Sequence, residues 1–317
     1  MRKCHLIPVC LVALLLFPLS AVAKKKVLYI DSYHAGYEWS DGVTEGITTV
    51  MQGKDVEMKI FRMDTKRNPG EAYKKRAALD AKALIESFSP DVVIASDDNV
   101  SKYLILPYYK NADLPFVFCG VNHDGSAYGY PYKNATGMVE VAPMTKLVYS
   151  LKYFNRAEKI AMLIGDSLTD HKDAESYSKV IKLPFDTIHV EDFSAWKRAY
   201  VRIQDNYDIL VMGNKASING WDDDEALALV MSQTKIPTGC DLDFMAPFSL
   251  LAYTRVPQEQ GRWAAETALK ILDGAEPSSI PIASNVEGNL IINMKVAKAA
   301  GFKVPASFTK KATQVIE

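Results

Sequence analysis

The chain has 317 residues, 37 basic against 38 acidic side chains, and 48% hydrophobic content. This is the balance of an ordinary globular protein. Its near-neutral charge argues against a nucleic-acid partner. Four cysteines are too few for a disulfide scaffold of this length.

The first 23 residues read as an export signal. Arg2 and Lys3 supply the positive start, Leu6 to Leu19 the apolar centre, and Ala21-Val22-Ala23 the small-residue cleavage pattern, with the cut after Ala23. The apolar stretch is short for a membrane span. Ile7-Pro8-Val9 lacks the small residue that would make Cys10 a lipid-anchor site. A mature chain without residues 1–23 keeps 35 basic and 38 acidic residues, a net charge near −3. It is expected to be soluble in a bacterial periplasm. Its two cysteines, Cys119 and Cys240, are expected to be buried free thiols. About 290 residues suit two lobes better than one.

Val27–Ile30 is an apolar run of the kind found in a parallel strand covered on both faces. A polar and aromatic loop follows, then a helix with Ser40 as N-cap and Val43, Ile47, Val50 and Met51 at helical spacing. Further strands are predicted at Val56–Phe61, Asp91–Ala95, Pro115–Phe118, Lys159–Ile164, Thr187–Val190, Ile209–Met212 and Ile236–Cys240. Helices alternate with them. The clearest is Glu71–Ser87, where Ala77, Ala81, Leu84, Ile85 and Phe88 share a face. Others fall near 99–109, 144–154, 173–181, 195–206, 222–233 and 258–272, and a last one runs from Asn293 to Gly301. The rhythm means an α/β fold with parallel sheets. It breaks at the glycine-rich interval 120–143, at 241–257 and at 275–289, where the chain is expected to pass between lobes.

Five blocks together resemble a known family: SYHAGYEWSDGVTEGI (32–47), ASDDN (95–99), PFVFCGVN (115–122), GRWAAETALKILDGAEPSSIPI (261–282) and NLIINMKVAKAAGFKVP (289–305). They are similar to the type I periplasmic substrate-binding proteins of ABC transporters, and to relatives that bind aromatic amino acids or serve as periplasmic domains of sensor kinases. The resemblance implies two Rossmann-like lobes joined by crossover strands. It places 24–141 and 250–281 in an N-terminal lobe and 142–249 and 282–317 in a C-terminal lobe. The implied function is capture of a small ligand, such as an aromatic amino acid, between lobes that close on it. The implied partner is an ABC permease, or alternatively a membrane histidine kinase. A monomer without cofactor or bound metal is expected.

In open α/β sheets, ligands meet the loops leaving the carboxyl ends of strands. On the first lobe this selects Ser32, Tyr33, Tyr37 and Trp39 after the first strand and Asp64 after the second. It also selects Ser96, Asp97, Asp98 and Asn99 after the third and Asn122 after the fourth. The rings could stack on a flat ligand, Ser32 could hold a carboxylate, and one of the two aspartates could take an ammonium group. The alternatives are packing, turn and capping roles. On the second lobe the same logic selects Asp166, Ser167, Asn214, Lys215, Asp241 and Asp243. The acidic run 222–225 reads as the start of a helix rather than a metal site. The histidines look scattered.

Gly165-Asp166-Ser167-Leu168-Thr169-Asp170 resembles the nucleophile block of GDSL-type esterases. That chemistry needs a base for the serine proton. Only His171 and His189 follow, and the family's distant Asp-x-x-His and its Gly-x-Asn-Asp block are missing. No hydrolase activity is expected. P-loop, dinucleotide, His-Glu-x-x-His and Cys-x-x-Cys signatures are absent as well.

Overall fold

A computed structural model describes residues 24–181 and 184–317. The export segment therefore lies outside the described residues. Among those described, no helix is long and apolar enough to cross a membrane.

The chain opens with β1 (Lys25–Asp31), α1 (Glu38–Met51), β2 (Val56–Arg62), α2 (Glu71–Phe88) and β3 (Val92–Ser96). A short helix α3 (Asp97–Val100) then widens into a π-helical stretch (Ser101–Tyr109) and leads to β4 (Phe116–Asn122) and β5 (Ala135–Glu140). The second part runs through α4 (Met144–Leu151), β6 (Ile160–Gly165), α5 (Leu168–Ile181), β7 (Phe185–Val190), α6 (Phe193–Asn206) and β8 (Ile209–Met212). It continues with α7 (Asp223–Gln233), β9 (Thr238–Cys240) and β10 (Leu251–Thr254). The chain then gives α8 (Pro257–Leu272), β11 (Ala283–Ser284), β12 (Asn289–Asn293), α9 (Met294–Ala299), α10 (Ala306–Thr309) and β13 (Gln314–Ile316).

Two sheets result, in the orders β11-β5-β4-β3-β1-β2 and β13-β12-β10-β9-β8-β6-β7. The ladders are parallel except β10 against β12. Helices on both faces require strands apolar on both sides. Accordingly Val27–Ile30, Val92–Ala95 and Ile209–Met212 have no exposed surface. Each such aliphatic side chain contributes about 1.5–3 kcal/mol by leaving water.

The chain passes between sheets after β5, after β10 and after β11. The segment expected in the first lobe from residue 250 therefore divides. β10 pairs with β9 and β12 in the second sheet, and α8 returns to pack on α1 in the first. Glycines permit that return. A Cβ at Gly46 would lie 2.3 Å from the Gln258 carbonyl oxygen, and one at Gly261 would lie 2.1 Å from that of Val43. The two backbones thus touch where side chains would hold them apart.

Several local expectations are corrected. Tyr37, not Ser40, precedes α1 as N-cap. Ser40 is buried in the first turn, and its hydroxyl donates to Asp31 Oδ1 at 2.9 Å. β5 and β10 lie in intervals read as irregular, because glycine-rich or proline-bearing flanks obscured short apolar strands. α5 begins at Leu168 rather than 173. The acidic run does open a helix: Asp222 accepts the Glu225 N–H at 2.9 Å as N-cap of α7. Cys119 and Cys240 are buried and unbridged.

Candidate functional site

Strand order in the first sheet reverses between β1 and β3, the point where an open α/β sheet leaves a crevice beyond its carboxyl ends. A cavity of about 920 Å³ opens there and extends across to the second sheet. Tyr33, Tyr37 and Trp39 reach it from the loop after β1 and the first turn of α1. Asp97 reaches it from the end of β3, Asn122 from β4 and Glu140 from β5. Asp241, Asp243 and Phe244 approach from the loop after β9, Asn289 from the start of β12, and Arg255, Pro257 and Gln258 from the crossover into α8.

Tyr33 and Tyr37 meet edge to face, with centroids 5.2 Å apart and planes at 80°. Lys66 Nζ lies 4.9 and 4.8 Å from the two ring centroids, a double cation–π contact. Asp97 is 3% exposed and occupies the left-handed region at φ 68°. A non-glycine residue held there stores strain, which often marks a functional position. Its Oδ2 and the indole Nε1 of Trp39 are buried without hydrogen-bond partners among the described residues. Both groups crowd Gly120: a Cβ placed there would lie 3.3 Å from Asp97 Oδ1 and 3.5 Å from Trp39 Nε1. Gly120 at φ 66° thus supplies both the turn and the room. Buried polar groups normally find partners, which makes this pair an exception.

Seven lining side chains are carboxylates, against the two cations Lys66 and Arg255. Burial pushes the Asp97 carboxyl well above its ordinary range, and the charges of Glu140 and Asp31 add to the shift. Burial also drives Glu140 up to about 7, although Arg255 opposes the rise. Arg255 ties the halves together. Its Nε is 3.0 Å from Glu140 Oε1 at the end of β5, and its guanidinium donates to Asp241 Oδ2 at 3.1 Å. Burial works against the Arg255 charge, but Asp241 and Glu140 more than offset it and raise the pKa. Tyr177 also donates to Asp241, at 2.9 Å. A second bridge between the halves joins His123, after β4, to Ser176 of α5 at 3.1 Å.

Of the residues selected from strand ends, Tyr33, Tyr37, Trp39, Asp97, Asn122, Asp241 and Asp243 line the cavity. The others turn elsewhere. Ser32 is fully buried, donates to the Ser96 carbonyl at 2.6 Å and accepts from Val100 N–H at 3.1 Å, so it fixes the β3–α3 corner rather than a carboxylate. Ser96 is buried against the Tyr29 hydroxyl at 3.1 Å. Asp64 is held by a fork from Arg67, Asp98 by the side chain of Asn122, and Asn99 donates to Thr65 at 2.8 Å. Asn214 caps the turn 215–217 by accepting from Ala216 N–H at 2.8 Å, and Lys215 pairs with Asp223.

Ser167 exchanges bonds with Asp170 at the start of α5. Its hydroxyl accepts the Asp170 N–H at 3.2 Å, and the Asp170 carboxylate accepts the Ser167 N–H at 3.0 Å. The Ser167 hydroxyl also donates to Asp170 Oδ2 at 2.5 Å, and the reciprocal bonds make a capping box. Asp166 turns to His171 instead.

Strand-end reasoning missed Lys66, Glu140 and Arg255. Glu140 ends the run ATGMV and Arg255 follows the run LLAYT, so each would have been found had those short strands been recognised.

A family model described as ABC transporter substrate binding protein matches residues 32–316. No curated protein matches the chain. Among solved structures, a ligand-free, open substrate binding protein with adhesive properties from Clostridium difficile is similar at 16% identity and TM-score 0.71, covering 92% of this chain and 99% of that one. An ABC domain in complex with L-Trp from Streptococcus pneumoniae is similar at 17% identity and TM-score 0.58, covering 92% and 100%. A solute binding protein from Bacillus halodurans with bound myo-inositol is similar at 11% identity and TM-score 0.52, covering 89% and 99%.

Proposed function

Because the chain belongs to the ABC transporter substrate binding protein family, we propose that its cleft captures a small molecule bearing an ammonium group, an aromatic amino acid being the best fit. The observation that carries this reading is the buried, unpartnered Oδ2 of Asp97. An ammonium placed against it would supply the missing hydrogen bond and neutralise the charge that burial penalises. The unpartnered indole N–H of Trp39 and the ammonium of Lys66 suit the ligand carboxylate, and the Tyr33–Tyr37 pair suits a flat side chain. The excess of carboxylates favours a cationic head over a neutral polyol.

The two halves act as lobes that close on the ligand, since only contacts made better in the closed form shift such an equilibrium. The chain is exported through residues 1–23 and works as a monomer that delivers its ligand to a membrane permease.

The test is isothermal titration calorimetry of the mature chain with L-tryptophan, L-tyrosine, L-phenylalanine and myo-inositol. At least one aromatic amino acid should bind, and Asp97→Asn should weaken it roughly 10- to 100-fold, the worth of a hydrogen bond to a charged group. Binding of the polyol alone, or an unchanged affinity in the variant, would remove the ligand assignment while leaving the family intact.

A further inference from the structure

Four histidines follow the export segment, at positions 34, 123, 171 and 189. They look scattered in sequence, but two of them converge away from the cleft. Asp166 leaves the carboxyl end of β6, His171 lies in the first turns of α5, and His189 lies near the end of the edge strand β7. Strand order in the second sheet reverses between β6 and β8, so this is also a place where such folds meet ligands.

His171 Nε2 is 2.7 Å from Asp166 Oδ1, and His189 Nδ1 is 3.9 Å from the same oxygen. The two rings stack with centroids 3.9 Å apart and 23° between their planes. One ligating atom from each of the three residues falls within 4.8 Å of the others. Core packing does not explain the grouping, because the Asp166 and His171 side chains are 40% and 52% exposed. None of the three lines the ligand cavity.

We propose that Asp166, His171 and His189 form a surface site for a first-row divalent cation, with Zn2+ the best match. Two imidazole nitrogens and one carboxylate oxygen are a donor set that suits zinc, with water completing a tetrahedron. Ligand atoms around a tetrahedral zinc lie about 3.4 Å apart, and His171 Nε2 already stands 2.7 Å from Asp166 Oδ1. A cation shared by both rings must lie near both ring planes, so binding turns the stacked rings toward each other.

His171 has the exposure to make that turn. His189 is the fixed ligand: it is 24% exposed, and its Nδ1 donates to the Gly165 carbonyl oxygen at 2.9 Å, which leaves Nε2 for the cation. A backbone carbonyl behind an imidazole is the kind of outer contact that orients metal ligands. The positive end of α5 would oppose a cation. The carboxylate of Asp170, 2% exposed and bonded to the Ser167 N–H, counters it there.

The test uses the mature, tag-free chain, stripped with chelator and titrated with Zn2+ against a chromophoric competitor at fixed neutral pH. One Zn2+ per chain is expected. His171→Ala and His189→Ala should each weaken it at least about tenfold, and His34→Ala should leave it unchanged. Circular dichroism melting of each variant checks that the fold persists. Independently, the imidazole 15N resonances of His171 and His189 should shift on Zn2+ addition while those of His34 and His123 stay in place. Three results would each overturn the site: no stoichiometric Zn2+, affinity within about twofold of the parent in the His171→Ala, His189→Ala double variant, or resonance shifts confined to the other histidines.

Discussion

Arg255→Met tests how the two halves are joined. Methionine keeps the stem of the side chain but removes the charge from between Glu140 and Asp241, whose distances to Arg255 are 3.0 and 3.1 Å. Each contact is worth about 5 kcal/mol of attraction at an effective dielectric of about 20, most of which offsets the desolvation of the three charges. Breaking such an arrangement from one side costs about 3–5 kcal/mol, because the carboxylates remain buried and unpaired.

Protonation sets a ceiling on that cost. Neutralising a free carboxyl at about pH 5 costs about 1 kcal/mol for Glu and about 1.5 kcal/mol for Asp, whereas at about pH 8 each costs about 5 kcal/mol or more. Without Arg255, which opposes the rise, the folded-state pKa of Glu140 climbs further. The folded chain then binds more protons than the unfolded chain between the ordinary carboxyl range and the raised value, so stability falls as pH climbs through that window. Urea unfolding of parent and variant should therefore show a loss of about 3–5 kcal/mol near pH 8 and no more than about 2.5 kcal/mol near pH 5. Adding Glu140→Gln and Asp241→Asn to Arg255→Met should recover most of it. A loss below about 1 kcal/mol near pH 8, or an equal loss at both pH values, would refute the buried-triad account.

Other outcomes follow from the same geometry. Burial holds Asp97 above its usual range and Glu140 near 7, and a ligand ammonium favours their ionised forms. Binding should therefore release protons below neutrality, and affinity should rise as pH passes upward through about 7; calorimetry in two buffers of different ionisation enthalpy would detect this, and zero proton release near pH 6 to 7 would count against it. Gly261→Ala places a methyl 2.1 Å from the Val43 carbonyl oxygen and should cost about 1–3 kcal/mol in chemical denaturation, whereas Gly274→Ala, with nothing within 4 Å, should show only the smaller strain of its left-handed backbone. Cys119 and Cys240 are fully buried, and burial pushes the Cys240 thiol up to about 12. A thiol reagent should therefore modify neither until the chain is unfolded, and rapid labelling of the native protein would contradict their burial.

The alternation of apolar runs and amphipathic stretches was enough to determine a parallel α/β fold, because strands covered on both faces must be apolar throughout. Val27–Ile30 and Val92–Ala95 fit that pattern, and the Asp222 cap was equally local. Cleft membership was different. Ser32, Asp64, Ser96 and Asn214 have the same strand-end credentials as Asp97 and Asp241, yet they turn inward or to a neighbour. Pairing order, not local chemistry, decides which ends face the gap. Arg255 became the central cation only when β10 joined the second sheet and aimed the following residue at Glu140, 115 positions earlier in the chain. Asp166, His171 and His189 met only when β7 paired beside β6. Such juxtapositions depend on contacts distant in sequence, and no local periodicity encodes them.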